Sequence, residues 1–115
     1  MKKIIYVDVD GTICQNRDDL RDQDISIAYS DVKPYPDRIA HINSLYDDGH
    51  EIVYWTARGC KSGDDYTELT KQQFKEWGVK YHDLQVGNKP HFDMYICDKS
   101  WNSESFFHRF DRGLP

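Results

Sequence analysis

Residues 4–7, Ile-Ile-Tyr-Val, carry four apolar side chains straight into Asp8-Val9-Asp10-Gly11-Thr12. An apolar run without alternation suits a strand buried on both faces of a parallel sheet. A parallel sheet restricts the chain to strands joined by long crossovers. In open sheets of this kind, ligands bind in the crevice beyond the carboxyl ends of the strands. This strand delivers its two carboxylates there. Asp8 and Asp10, two apart on a period-two element, point the same way. Anions held so close repel unless a cation or a shared proton relieves them, so a divalent metal is expected. Gly11 permits a sharp exit with positive φ, and the main-chain N–H groups of Gly11 and Thr12 are expected to face an anion.

The rest of the chain alternates in the way such a sheet requires. Cys14 to Lys33 is polar, with Arg17, Asp18, Asp19, Arg21, Asp22 and Asp24 broken by Ile25, Ile27 and Tyr29; it reads as a flap over about 14–33. Pro34, Pro36 and Asp37 open a helix over about 37–48, whose inner face is Ile39, Ile42, Leu45 and Tyr46, with Gly49 as its C-terminal cap. Glu51 to Trp55 is a second strand, ending in Thr56-Ala57-Arg58-Gly59. Asp64 or Asp65 caps the next helix, with Glu68 as capping-box partner of Asp65 and Leu69, Phe74 and Trp77 inside; Gly78 stops it. Val79 to Val86 reads as a short third strand region, Gly87-Asn88-Lys89-Pro90 as a turn, and Phe92 to Cys97 as a fourth strand ending at Asp98. Ser103 is expected to cap a last helix bearing Phe106, Phe107 and Phe110. The fold class is therefore α/β: a three-layer, doubly wound parallel sheet with helices on both faces, in a single domain over 1–115.

With 115 residues the chain has room for a real core and none for a separate cap domain. A net charge of -5 argues against a broad nucleic-acid or anionic-membrane surface. The mean hydropathy of -0.83 is polar, but 5 Phe, 3 Trp and 8 Tyr bury large areas and make a compact fold reasonable. No run approaches a bilayer span and Met1-Lys2-Lys3 leads directly into a strand, so a cytoplasmic protein without a membrane partner is expected. Cys14, Cys60 and Cys97 are odd in number, widely spaced and without a Cys-x-x-Cys pair, which supports neither a disulfide framework nor a zinc site.

Asp8 with Asp10, then Thr56, Lys89 and Asp98, recur just past apolar strands or in the turn before one. Together they describe a phosphate site. A carboxylate nucleophile takes a phosphoryl group as an acyl phosphate, splitting one hard hydrolysis into two easier steps; Asp8 is placed for this. Asp10 is placed to protonate the leaving oxygen and then to deprotonate the attacking water. A hydroxyl, an ammonium and a hard cation stabilise charge on the equatorial oxygens; Thr56, Lys89 and a magnesium ion held by Asp8 and Asp98 supply them. Lys80 is a rival to Lys89. Gly11, Thr12, Thr56, Ala57, Arg58 and Lys89 are the substrate-binding positions, with Arg17, Arg21, Tyr29, Arg58 and Lys61 as candidates for specificity. Glu104 is a long-range helper for the metal, His91 the one histidine near enough to Lys89 to touch substrate. Asp93, five residues before Asp98 on one strand, would lie roughly 16 Å from it.

This order and spacing resemble the haloacid dehalogenase superfamily of aspartate-nucleophile phosphatases. The first motif stands as Tyr6-Val7-Asp8-Val9-Asp10-Gly11-Thr12, the second as Ile52-Val53-Tyr54-Trp55-Thr56, the third as Lys89 and the fourth as Met94-Tyr95-Ile96-Cys97-Asp98. The resemblance implies Asp8 as nucleophile, Asp10 as acid/base whose backbone carbonyl also reaches the metal, Thr56 and Lys89 as phosphate binders, Asp98 as second metal carboxylate, and Mg2+ as cofactor. Without a cap insertion the chain resembles the smallest members. Many relatives have two acids in the fourth motif, whereas Cys97 and Lys99 flank Asp98 here. The expected activity is a phosphomonoesterase acting on a sugar phosphate, a nucleotide or a polynucleotide end, with an open site or one closed by a neighbouring subunit of a homo-oligomer. A catalytically weak relative that binds a phosphorylated ligand is the alternative. A receiver domain would place adjacent acids after strand one and the phosphorylated Asp after a central strand, and this chain has no Asp at the end of Ile52 to Trp55.

Overall fold

The computed structural model describes residues 2–17, 28–90 and 92–111, the last three of them as backbone only. Arg21, His91 and the middle of the expected flap lie outside the described residues. Three strands, β1 (Ile4–Val7), β2 (Glu51–Thr56) and β3 (Asp83–Val86), form a parallel sheet in the order β1-β2-β3. Val7 pairs with Tyr54, and Thr56 with Val86. A 3-10 turn at Tyr29–Asp31 leads into α1 (Pro36–Asp47), and α2 (Thr67–Trp77) and α3 (Ser103–Asp111) complete the chain order.

The helix ends show how the sequence sets them. Proline at the start of α1 has no N–H to leave unsatisfied. Its end is closed by Gly49, whose N–H donates to the Tyr46 carbonyl at 3.0 Å. At α2 the cap residue is Tyr66, and Asp65, one residue earlier, accepts from the Thr67 N–H at 2.9 Å. The expected capping box is therefore replaced by an Asx turn, and Glu68 reaches Lys71 instead. Gly78 adopts φ 71° and lets the Val79 N–H return to the Phe74 carbonyl. Asn102, not Ser103, caps α3, its Oδ1 accepting from the Glu104 N–H at 3.0 Å.

Strand residues Val7, Ile52 and Tyr54 meet Ile39 and Ile42 of α1, Phe74 of α2 and Phe107 of α3 in one core. Phe74 has no exposed surface and packs edge-on against Tyr54 and Tyr81, with ring centroids 4.9 and 5.3 Å away. Phe74→Ala is expected to cost about 3–5 kcal/mol, read as a fall in the urea midpoint with unchanged slope. A loss under 1 kcal/mol would mean that this face is not the main core.

One expectation fails here and a second is met only in its coarser part. Residues 92–98 run as irregular chain, so the fourth strand is not formed among the described residues. Met94, Tyr95 and Ile96 are instead exposed. The expected α/β parallel sheet is present with three strands, and among the described residues no fourth strand makes it doubly wound. Strands added in the order 1-2-3 by same-handed crossovers put α1 and α2 on one face; a second helical layer needs a strand on the far side of β1, where the order reverses. Among the described residues no strand pairs with that side of β1, and Ile4 and Tyr6 are 65% and 55% exposed. The architecture is a small single α/β domain with a three-stranded parallel sheet. Among the described residues no helix is long and apolar enough to cross a membrane.

Candidate active site

The carboxyl ends of all three strands converge. Asp8 follows β1, Thr56 ends β2, and Gly87-Asn88-Lys89 follows β3. Gly87 takes φ 83° and donates its N–H to the Thr56 carbonyl at 3.0 Å, turning the chain so that Lys89 swings back over the sheet. The Lys89 ammonium lies 3.3 Å from Asp8 Oδ1, with the Trp55 and Phe92 rings 5.6 and 5.7 Å away. Lys80, the rival, is at the other end of β3 and pairs with Asp47 at 2.8 Å. Burial raises the Asp8 carboxyl above the usual aspartate range, against the opposing pull of Lys89 and a hydrogen bond from the Val9 N–H. The side chain keeps 45% of its surface, so water offsets part of that rise.

Asp10 is held differently. Arg58 Nε donates to its Oδ2 at 3.0 Å and Nη2 to its Oδ1 at 2.8 Å, a two-pronged pair. Arg58 Nη1 donates to Thr70 Oγ1 at 3.1 Å and to Gln73 Oε1 at 2.6 Å, and Nη2 also reaches Cys14 Sγ at 3.8 Å. All of its donors have acceptors, and its side chain is 0% exposed. Arg58 is thus no substrate-binding fork at the surface; it is the inner partner of Asp10. The Cys14 thiol is pushed far up by burial, with the Asp10 carboxylate adding to the effect.

The turn after β1 also departs from expectation. The Gly11 N–H donates to the Cys14 carbonyl at 2.9 Å and the Thr12 N–H to the Val9 carbonyl at 3.1 Å, so neither faces an anion. Their carbonyls point outward instead, to Ser103 Oγ at 3.4 Å and Arg38 Nη1 at 3.2 Å. Gly11 keeps φ 80°, as the turn requires. Thr56 is buried and its Oγ1 accepts from the Arg58 N–H at 3.2 Å, shaping the Thr56-Ala57-Arg58 turn. Gly59 continues it, where a Cβ would lie 2.0 Å from the Asp64 carbonyl oxygen, so the position admits only glycine.

Asp98 is exposed on the irregular segment, and among the described residues no three His, Cys, Asp or Glu side chains gather as a metal group. Lys89 is brought onto Asp8, which also feels the Asp10 charge, and among the described residues Asp98 joins no metal-holding group with them. Glu104, considered as a metal helper, pairs with Arg38 at 2.8 Å. Asp93 and Lys61 are exposed, and Arg17 stacks on Tyr29 with 3.8 Å between guanidinium and ring. A cavity of about 460 Å³ is lined by Tyr35, Asp37, Arg38, His41, Glu104 and Phe107 and by none of Asp8, Asp10, Thr56 or Lys89. Its arginine is already committed to Glu104 and the Thr12 carbonyl, so the open strand ends remain the place for chemistry.

Sequence reasoning missed Thr70 and Gln73. The signal was there: with Phe74 and Trp77 they occupy positions i, i+3, i+4 and i+7 of α2, so two polar side chains sit in the apolar stripe. Such residues call for a buried polar partner. Cys14, read only as a free thiol, lies under the same pair.

No family model and no curated protein matches the chain. Among solved structures, it is similar to the crystal structure of an MCSG target from Vibrio cholerae, with a TM-score of 0.73 and 26% identity over 92% of this chain and 87% of that one. The likeness runs through nearly all of the α/β domain described above.

Proposed function

We propose that the protein is a magnesium-dependent phosphomonoesterase that works through an aspartyl-phosphate on Asp8. The observation that carries this reading is the pairing, beyond the carboxyl ends of the two outer strands β1 and β3, of a carboxylate raised by burial with the Lys89 ammonium 3.3 Å away. Asp8 attacks phosphorus as its bond to the leaving oxygen breaks, and Asp10 gives that oxygen a proton. Water then attacks phosphorus, Asp10 takes the water proton, and the Asp8–phosphorus bond breaks to release inorganic phosphate. Lys89 lies where it can neutralise the phosphoryl oxygens throughout.

The donor set fits a hard cation: the Asp8 carboxylate and the Asp10 main-chain carbonyl are oxygen ligands, and magnesium needs only one or two carboxylates beside water and phosphate. Bound there, magnesium would supply charge neutralisation at the transferring phosphoryl group. Asp98 is the proposed second carboxylate. It joins when the apolar run Met94–Ile96 pairs along the open edge of β1, which also gives the doubly wound, capless fold of the haloacid dehalogenase superfamily. Exposed apolar residues on both Ile4–Tyr6 and Met94–Ile96 support that pairing. The substrate is a phosphorylated metabolite such as a sugar phosphate or nucleotide, with a polynucleotide end disfavoured by the acidic chain.

The test is phosphate release from p-nitrophenyl phosphate, sugar phosphates, nucleoside monophosphates and 3′-phosphorylated oligonucleotides, with magnesium and with EDTA. Release that EDTA abolishes is the expected result. The exposed place of Asp98 favours a second reading, a phospho-ligand binder with little turnover. Saturable phosphate-ester binding without release across the panel would select it over the enzyme.

A further inference from the structure

Gln73 is 4% exposed and bonded at both ends of its amide: Oε1 accepts from Arg58 Nη1 at 2.6 Å, and Nε2 donates to the Tyr29 carbonyl at 2.6 Å. Those two partners dictate which way the amide faces. Tyr29 opens the 3-10 turn that brings the chain back to α1, and its ring carries the Arg58 guanidinium 4.8 Å from its centroid. A continuous buried path therefore runs from the Tyr29 main chain through Gln73 and Arg58 to both oxygens of Asp10. Thr70, whose hydroxyl donates to the Tyr66 carbonyl at 2.8 Å, braces the same guanidinium from α2.

A planar guanidinium bonded through two prongs fixes the plane of the carboxylate it holds. Arg58 itself is oriented by Thr70 and Gln73, since its other donors are spent on Asp10 and Cys14. We infer that Gln73 is a positioning residue for Asp10: it transmits the placement of the Tyr29 turn to Arg58, and through Arg58 aims the Asp10 carboxyl at the leaving oxygen. The inference rests on the reading of Asp10 as acid/base. Its consequence is selective. Proton donation matters when the leaving group is an alkoxide and hardly at all when it is nitrophenolate, so a misaimed Asp10 slows formation of the aspartyl-phosphate from an aliphatic ester and spares its formation from p-nitrophenyl phosphate.

Gln73→Met keeps length and removes both amide bonds. With the magnesium-loaded enzyme, single-turnover cleavage of an aliphatic phosphate ester is expected to fall about 10–100-fold, as a displacement near 1 Å can cause. The pre-steady-state burst of nitrophenolate is expected within about twofold of wild type. Loss in equal proportion on both esters, or on neither, overturns the positioning role. An activity-independent arm follows the Arg58 Nε–H signal by NMR. It should be slowly exchanging in wild type and shift in both Asp10→Asn and Gln73→Met; a signal that moves only in Asp10→Asn overturns the link through Gln73. A wild type that cleaves no ester but shows both shifts would sink the phosphatase reading and leave the Tyr29–Gln73–Arg58–Asp10 linkage standing.

Discussion

With Asp8→Asn, turnover of p-nitrophenyl phosphate is expected to fall by on the order of 10^4-fold or more, the scale on which removing the proposed nucleophile would act. The same substitution is expected to raise stability. Burial lifts the Asp8 carboxyl above its ordinary range, so the folded state holds the proton more tightly than the unfolded chain does. Stability then decreases as pH rises through that interval, and the penalty is complete once folded Asp8 is ionised. Asparagine cannot ionise and escapes it. In metal-free buffer the urea midpoint of Asp8→Asn should exceed that of wild type at neutral pH, and the gap should close as pH falls below about 3.9, where both carboxyl forms are neutral. Detectable phosphate release from the variant at wild-type rates removes Asp8 from the role of nucleophile. An unchanged gap across pH means instead that the stabilisation has another source.

The parts of this arrangement that sequence makes readable are the local ones. Apolar runs, proline and glycine placed β1, α1, β2 and α2 within a few residues, because a helix or strand end depends on a handful of adjacent side chains. The convergence of Asp8 and Lys89 followed from that, since parallel strands deliver their ends to one side. What escaped depends on contacts between distant residues. Met94-Tyr95-Ile96 has the composition of a strand, but a strand exists only with a partner edge, and the run is unpaired here. The doubly wound sheet depended on that single pairing. Arg58 stands before a glycine in a polar loop, where arginine is ordinarily solvated. Its burial is announced only by Thr70 and Gln73 on another element. Likewise the N–H groups of Gly11 and Thr12 are spent inside the turn, on Cys14 and Val9, so a glycine signal identified the bend and misjudged which way its dipoles face.

Asp10→Asn should act on stability with the sign opposite to Asp8→Asn, although the two positions are two residues apart. Arg58 cannot shed its charge at any accessible pH, and its side chain has no exposed surface to hydrate it. Removing the Asp10 charge strands that cation, and breaking a buried pair from one side costs about 3–5 kcal/mol. Arg58→Met strands the carboxylate instead, together with the acceptors Gln73 Oε1 and Thr70 Oγ1. Asp10 retains 16% of its side-chain surface, so water reaches it and part of the cost is recovered. Hence Asp10→Asn is the variant in which charge burial alone sets the loss. The double variant Asp10→Asn/Arg58→Met leaves no uncompensated ion and should cost less than the two single losses added, by roughly 1–3 kcal/mol in a urea double-mutant cycle. Strict additivity would mean that the two groups do not stabilise each other in solution. A stabilising Asp10→Asn would mean that the Arg58 charge is relieved by something other than this carboxylate. Opposite signs at Asp8 and Asp10 would separate a carboxylate that its surroundings penalise when charged from one locked into the fold by a buried cation.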